Sequence, residues 1–105
     1  MTKWIGQYVL DANGKPVPEP DVLKWAKWFE TAERHVANDK VFGVHISTVF
    51  LGVDYSSPFG GPPVLWETMI FGGPHDQYQE RYISRKDAIA GHAKAVAMVR
   101  GVNNN

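Results

Sequence analysis

Apolar side chains recur every three or four residues in the segment after Pro20, and this spacing predicts the first helix. The stripe consists of Val22, Trp25, Ala26, Phe29, Ala32 and Val36. Asp21 precedes the stripe and suits the N-cap position, because its carboxylate can accept hydrogen bonds from the free amides of the first turn. We expect this helix to end near Ala37–Asn38 and a turn to begin at Asn38-Asp39.

A run of β-forming residues then extends from Val41 to Val53, and a second run spans Val64–Phe71. These runs predict an antiparallel hairpin in which Val44–Gly52 pairs with Val64–Phe71. One face of the first strand would carry Val44, Ile46, Thr48 and Phe50, and the other His45, Ser47, Val49, Leu51 and Val53. Gly72-Gly73-Pro74 stops the second strand, and Tyr78–Ile83 predicts a third.

The two ends of the chain complete the prediction. Trp4–Leu10 is a short apolar strand or arm, Asn13-Gly14 is a turn signal, and the proline-rich stretch up to Pro20 favours an extended chain. A last apolar stripe is formed by Ile89, His92, Ala93, Val96 and Val99. It predicts a second helix that begins at Ser84 and ends at Gly101.

These elements give the order strand or arm, helix, three strands, helix. Short connections favour an antiparallel meander. We therefore predict an α+β fold with two layers, in which two helices cover one face of a three-stranded antiparallel sheet. The 105 residues form one domain, with residues 1–20 as the N-terminal arm and residues 102–105 as a frayed tail.

Both strands of the hairpin are apolar on both faces. In the second strand, Val64, Trp66, Thr68 and Ile70 alternate with Leu65, Glu67, Met69 and Phe71. A sheet with one solvated face should instead alternate apolar and polar residues. Because the helices bury only one face, the other must be covered by the N-terminal arm, a second copy of the chain or a partner. We expect a homodimer through this face, and the alternative is that Trp4, Ile5, Tyr8 and the proline-rich arm fold across it within one chain.

Composition narrows the classes of function. Lysine plus arginine equals aspartate plus glutamate, so the formal net charge is zero and the positive surface of a general nucleic-acid binder is missing. The absence of cysteine excludes disulfides, thiolate zinc sites and a cysteine nucleophile. The sequence contains no apolar run long enough for a membrane span and no signal-peptide core at the N-terminus, so we expect a cytoplasmic protein without a membrane partner.

The candidate catalytic residues are Glu67, His45 and His75. Glu67 lies in an apolar strand, where a carboxylate is costly unless it is paired or protonated. A pairing of Glu67 with His45 or His75 would provide an acid–base couple, and the alternative is a structural pair or a glutamate that faces water. The spacing of histidines and carboxylates matches no metal-ligand pattern, so we expect no metal and no cofactor. A histidine on the apolar stripe, such as His92, is more typical of a hydrogen-bonded core residue than of a catalytic one.

The candidate binding residues are Tyr55, Phe59, Trp66 and Glu67. They lie in or beside the long loop rich in glycine and proline, and aromatic side chains next to such a loop suit a partner-binding site. Packing of the loop against its own core is the alternative. The Gly-Gly-Pro stretches lack the spacing and the following Lys-Ser/Thr of a phosphate loop.

Two resemblances accompany these patterns. The order helix, three strands, helix resembles the double-stranded-RNA-binding domain, and Ser84-Arg85-Lys86-Asp87-Ala88 resembles the start of that family's second helix. The zero net charge, Asp87 within the basic stretch and the missing Gly-Pro-x-His element depart from that family. The resemblance implies RNA binding as one alternative function.

The chain also resembles small proteins of bacteria and their phages to which no reaction or ligand is assigned. The motifs are Pro18-Glu19-Pro20-Asp21, Lys24-Trp25-x-Lys27-Trp28-Phe29-Glu30, Ser47-Thr48-Val49-Phe50-Leu51-Gly52, Trp66-Glu67-Thr68-Met69-Ile70-Phe71-Gly72-Gly73 and Ala90-Gly91-His92. This resemblance implies a phage or prophage accessory protein. We therefore expect a non-enzymatic interaction protein that acts on a host factor, for instance in counter-defence, with a Glu/His enzyme as the alternative.

Overall fold

The structure, a computed structural model, describes residues 4–56 and 60–101. It contains two helices and two antiparallel sheets. The elements are β1 (Tyr8–Leu10), β2 (Pro16–Pro18), α1 (Val22–Thr31), β3 (His35–Val41), β4 (Val44–Phe50), β5 (Trp66–Phe71), β6 (Gln79–Tyr82) and α2 (Arg85–Arg100). The predicted α+β class with antiparallel strands is confirmed.

The larger sheet has four strands in the order β3-β4-β5-β6, so the predicted three-stranded meander is wrong by one strand. The predicted hairpin corresponds to β4 and β5, which pair from His45 opposite Phe71 to Phe50 opposite Trp66. Strand β6 occupies most of the predicted third strand. The additional strand, β3, pairs with β4 from His35 opposite Val49 to Val41 opposite Val44, with a register shift at Val36.

Strand β3 replaces what the sequence predicted as the end of the first helix. Helix α1 begins at the N-cap Asp21 as predicted, but it ends at Thr31, and Ala32 is already extended. The amide of Phe50 then donates to the carbonyl of Arg34, so the chain joins the sheet immediately after the helix. The apolar spacing that includes Val36 is compatible with either structure, and pairing with β4 decides between them.

The predicted strand from Val41 to Val53 is interrupted by a two-residue turn. Val41 pairs with Val44, and Phe42 and Gly43 form the turn with φ angles of 52° and 77°. Two successive positive φ angles are typical of the type I′ turn of tight hairpins, whose twist matches the strands that it joins. The sequence signal was missed because Phe42 is an unusual residue at the first of these positions.

Helix α1 reaches one face of the large sheet through the Trp28 side chain, which packs on Phe50, and helix α2 lies across that same face. Ser84 caps its N-terminus and Gly101 ends it in a left-handed conformation, as predicted. The side chains of Ile46, Ile70 and Ala95 form one buried cluster between α2 and the sheet. A second buried cluster consists of Phe50, Leu65, Trp66 and Ala88.

Helix α1 and the β1–β2 hairpin pack at one end of the sheet, on the side that α2 covers. Strand β1 pairs with β2 and contacts α1, and the amide of Tyr8 donates to the carbonyl of Gly52, just after β4. Tyr8, Leu10 and Trp28 pack against the second buried cluster, and the ring of Trp28 meets that of Phe50 edge-on. Gly52 has a φ of 79° and would place a Cβ about 3.0 Å from the Phe29 ring, so glycine permits this close approach of α1.

Candidate functional site

The face of the large sheet opposite α2 is the first candidate site, and we call it the open face. It carries Asn38, Lys40, His45, Ser47, Val49, Glu67, Met69, Phe71, Gln79 and Arg81. In the described part of the chain, the contacts of the sheet with α2 and with Trp28 of α1 lie on the other side. The open face is amphipathic: Val49 and Met69 lie half-buried at its centre, and polar residues surround them.

The described residues of the N-terminal arm do not cover the open face, which was the alternative considered from the sequence. Tyr8 packs on the α2 side of the sheet, against the cluster that contains Phe50 and Trp66. Trp4 and Ile5 are both about half exposed, and the Trp4 ring contacts Tyr8 edge-on. In the described residues, therefore, the arm leaves the centre of the open face accessible.

Glu67, Arg81 and Tyr55 form an ordered group on the open face. The Nε of Arg81 donates to Oε2 of Glu67 at 2.9 Å, and the same oxygen accepts from the Gln79 side chain at 2.7 Å. The Arg81 guanidinium also lies over the Tyr55 ring, 4.4 Å from its centroid. The carboxylate that the sequence identified as costly is thus paired, and the pair holds Arg81 flat against an aromatic ring.

Asp54 fixes the start of the long loop that presents Tyr55. Its Oδ1 accepts from the amides of Ser56 and Val64, at 2.7 and 2.8 Å, and its Oδ2 accepts from the Ser56 hydroxyl. Burial by itself raises the pKa of the Asp54 carboxyl, but these hydrogen bonds outweigh it and hold that pKa below its usual value. Phe59, the remaining loop candidate, lies outside the described residues.

The structure brings only some of the candidate binding residues together. Tyr55 and Glu67 meet through Arg81, as described above. Trp66 points to the opposite face, where it is 4% exposed and packs edge-on against Phe50. Trp66 therefore belongs to the core and to the α2 side of the sheet.

The candidate catalytic residues do not converge. Glu67 lies opposite Val49, whereas His45 lies opposite Phe71, four residues away along both strands. At about 3.3 Å per residue, that separation is on the order of 13 Å. His45 bonds to the Asn38 side chain, and His75 lies in the turn after β5, beside a recess lined by Val44 and Met98. Glu67, His45 and His75 therefore lie in three separate places and do not form one acid–base pair.

A chain of polar side chains crosses the buried side of the sheet. The Nε2 of His92 lies 2.7 Å from Oδ2 of Asp39, and its Nδ1 lies 2.7 Å from the hydroxyl of Thr48. The Thr48 hydroxyl is in turn 2.5 Å from that of Thr68. A carboxylate only accepts hydrogen bonds, so Nε2 carries a proton, and in the neutral ring Nδ1 accepts from Thr48. The prediction of a hydrogen-bonded core histidine is confirmed.

This series of hydrogen-bonded side chains resembles a catalytic triad in composition, but its hydroxyl groups are not accessible to a substrate. Thr48 and Thr68 are fully buried, and only Asp39 at the outer end is substantially exposed. A catalytic hydroxyl must reach a substrate, and the hydroxyl of Thr48 is enclosed by the sheet and α2. The arrangement therefore satisfies polar groups in the core and ties the edge strand β3 to α2.

Tyr82 lies beside Thr68, the inner residue of this hydrogen-bonded series. Its hydroxyl is buried and has no hydrogen-bond partner among the described residues. Burial raises the pKa of Tyr82 and outweighs the nearby Thr68 hydroxyl, which lowers that pKa although its geometry does not meet that of a hydrogen bond to Tyr82. The ring is accommodated by Gly91 of α2, where a Cβ would overlap the Tyr82 hydroxyl.

Sequence reasoning missed Arg81 and Asp39. Arg81 lies two residues from Gln79 on β6, and the alternation of that strand would have placed both on the face of Glu67 once the register was known. Asp39 was assigned to a turn, so its position opposite Ile46, facing α2, had no sequence signal.

Comparisons with protein-family models, with curated proteins and with solved structures find no match to this chain. The described residues contain no cluster of three histidine, aspartate or glutamate side chains that could hold a metal ion. In the same residues, neither helix is long and apolar enough to cross a membrane.

Proposed function

We propose that this protein is a non-enzymatic interaction protein whose binding surface is the open face. The observation that carries the proposal is the group of Tyr55, Arg81 and Glu67 beside the half-buried Met69. Aromatic residues, methionine and arginine are enriched in the centres of protein interfaces. An arginine that is already ion-paired and stacked loses little conformational freedom when a partner covers it.

A second copy of the chain is the partner that we propose for this face. The net charge of zero supports it, because two copies do not repel each other over long range. The open face also carries both signs of charge, with Lys40 near one edge and Glu67 near its centre. A two-fold interface pairs a surface with itself, and such a mixed surface can then match opposite charges.

The biological setting that we propose follows from the resemblance to small proteins of bacteria and their phages. In this proposal the protein acts in the cytoplasm as a phage or prophage accessory protein on a host factor, for instance as a counter-defence inhibitor. A pull-down from host lysate with the wild-type protein tests this part, and its specificity control is the open-face variant described next.

The dimer is tested by light scattering during size-exclusion chromatography over a range of protein concentrations. We expect the wild-type mass to rise towards that of a dimer, and Met69→Lys to remain a monomer because it places a charge at the centre of the interface. The matched control is Ile89→Lys, which changes an apolar residue of similar chemistry that is 46% exposed on α2.

Circular dichroism verifies that both variants fold. If Met69→Lys does not fold, Tyr55→Ser replaces it, because Tyr55 is exposed and its loss disturbs only the stack on Arg81. A wild-type protein that stays monomeric at the highest soluble concentration contradicts the dimer. Equal dissociation by Met69→Lys and Ile89→Lys contradicts the assignment to the open face.

A further inference from the structure

A recess of about 390 Å³ lies on the α2 side of the sheet, away from the open face. Its walls come from the β1–β2 hairpin, the segment before β5 and the junction of β6 with α2. This volume is in the range of sites that bind small organic molecules. Because its walls are distant in sequence and are joined by the second buried cluster, the recess is formed by the fold itself.

The walls of the recess are largely apolar. Tyr8, Leu65 and Trp66 contribute side chains that are held in place by the second buried cluster. Ile83 completes the wall and is 51% exposed, although it is a large aliphatic residue at the start of a helix. A ligand that covers Ile83 would remove this apolar surface from water, which favours binding by the hydrophobic effect.

Two cationic side chains lie at the rim. Lys15 precedes β2, and Arg85 is the first residue of α2. The ion pairs found within residues 4–56 and 60–101 involve other side chains, and the recess lining contains no aspartate or glutamate. The lining therefore carries two positive charges beside an apolar surface, and Asp11, outside the lining, accepts a hydrogen bond from the Lys15 backbone amide at 2.9 Å.

We propose that this recess binds a small organic anion with a compact apolar body. The body lies against Tyr8 and Ile83, and a carboxylate at one end of the ligand meets Lys15 and Arg85. Arginine suits this role because its guanidinium can bind a carboxylate through two parallel hydrogen bonds. The site is independent of the open face, so the protein can bind such a ligand whatever its state of association.

The test uses 2-naphthoate as the anionic probe and 2-naphthalenemethanol as a neutral probe with the same body. We expect saturable binding of one 2-naphthoate per chain in an NMR titration, with shifts localised at the Trp66 indole and the Ile83 methyl groups. The neutral probe should bind several-fold more weakly, because it makes no charged contact.

Variants separate the contribution of the charged contacts to binding from that of the apolar contact. Lys15→Gln and Arg85→Gln should each raise the Kd for 2-naphthoate about fivefold, the loss of one solvent-exposed charge contact, and leave the neutral probe unchanged. Ile83→Ser should weaken both probes. The matched control is Lys86→Gln, which removes the same charge from the next residue of α2 but lies outside the recess lining.

Three outcomes overturn the proposal. The first is no saturable binding of 2-naphthoate up to about 1 mM. The second is binding that neither Lys15→Gln nor Arg85→Gln alters. The third is an equal effect of Lys86→Gln, which would indicate general attraction of the anion to the start of the helix. The amide spectrum of each variant verifies that it is folded.

Discussion

The imidazole of His92 on helix α2 lies 2.7 Å from the carboxylate of Asp39 on the edge strand β3. This contact joins residues that are 53 positions apart and connects the exposed edge of the sheet to the core. Its inner partner is Thr48, which bonds to the other ring nitrogen of His92. An edge strand has a hydrogen-bonded neighbour on one side only, and this contact adds a polar attachment of β3 to α2 beside the apolar packing of Val36 and Val41.

Thr48→Val tests the energetic importance of this polar chain. The substitution leaves Nδ1 of His92 and the hydroxyl of Thr68 without their common partner, and we expect a loss of about 2 kcal/mol in the free energy of unfolding. Urea denaturation monitored by circular dichroism measures it. The control is Ser47→Ala on the open face of the same strand, which we expect to change stability by less than about 0.5 kcal/mol.

The double variant Thr48→Val, Thr68→Val sharpens the test. Removing both hydroxyls leaves no orphaned hydroxyl between the strands, so the double variant should lose less than the sum of the two single losses. Strict additivity would indicate that the two threonines act independently.

Gly91→Ala should destabilise the protein, although alanine is the better helix former by roughly 1 kcal/mol. The added Cβ would overlap the Tyr82 ring, which is wedged between α2 and the sheet. We expect a net loss of at least about 2 kcal/mol, in the range of overpacked cores. Thermal unfolding measures this loss, and an unchanged or higher Tm would show that Tyr82 moves aside freely.

Tyr82→Phe tests the same contact between α2 and the sheet by changing Tyr82 rather than Gly91. The Tyr82 hydroxyl is buried without a partner in the described residues, so its removal should leave stability unchanged or raise it by about 1 kcal/mol. The same thermal unfolding experiment checks this, and a loss comparable to that of Thr48→Val would indicate that the hydroxyl has a partner after all.

The hairpin of β4 and β5 and helix α2 follow from the sequence because their signals are local. Strict alternation defines the faces of β4, and Ser84 and Gly101 mark the ends of α2. Strand β3 could not be predicted in this way, because its stability comes from pairing with β4. The ion pair of Glu67 with Arg81 and the contact of Asp39 with His92 depend on register across elements, which a single sequence does not specify.

Phe42→Asn should stabilise the protein. Phe42 adopts a φ of 52° at the β3–β4 turn and is 83% exposed, so its backbone is strained and its side chain gains little from packing. Asparagine followed by Gly43 is the preferred pair for this turn, and we expect a gain of about 1 kcal/mol in the free energy of unfolding. Phe71→Asn is the control, since asparagine is disfavoured in a strand; it should destabilise.

We expect the free energy of unfolding to fall at acidic pH, and part of this loss to come from protonation of Asp54. The hydrogen bonds from Val64 and Ser56 keep the pKa of Asp54 in the folded protein below that of the unfolded chain, which is about 3.9. The folded state then binds the proton less readily than the unfolded state. The stabilisation is therefore fully present above the unfolded pKa and is lost as the pH falls through the folded pKa.

Asp54→Asn makes this loss measurable. At neutral pH we expect the variant to be about 1 kcal/mol less stable, because an amide replaces a carboxylate that accepts from two backbone amides and a hydroxyl. The difference from wild type should shrink as the pH is lowered from about 5 towards 2, since the wild-type carboxylate is then protonated as well. Glu30→Gln, at an exposed position of α1, removes one negative charge and controls for net charge. A difference between wild type and Asp54→Asn that stays constant over this range would show that the loop is held by contacts other than the ionised carboxylate.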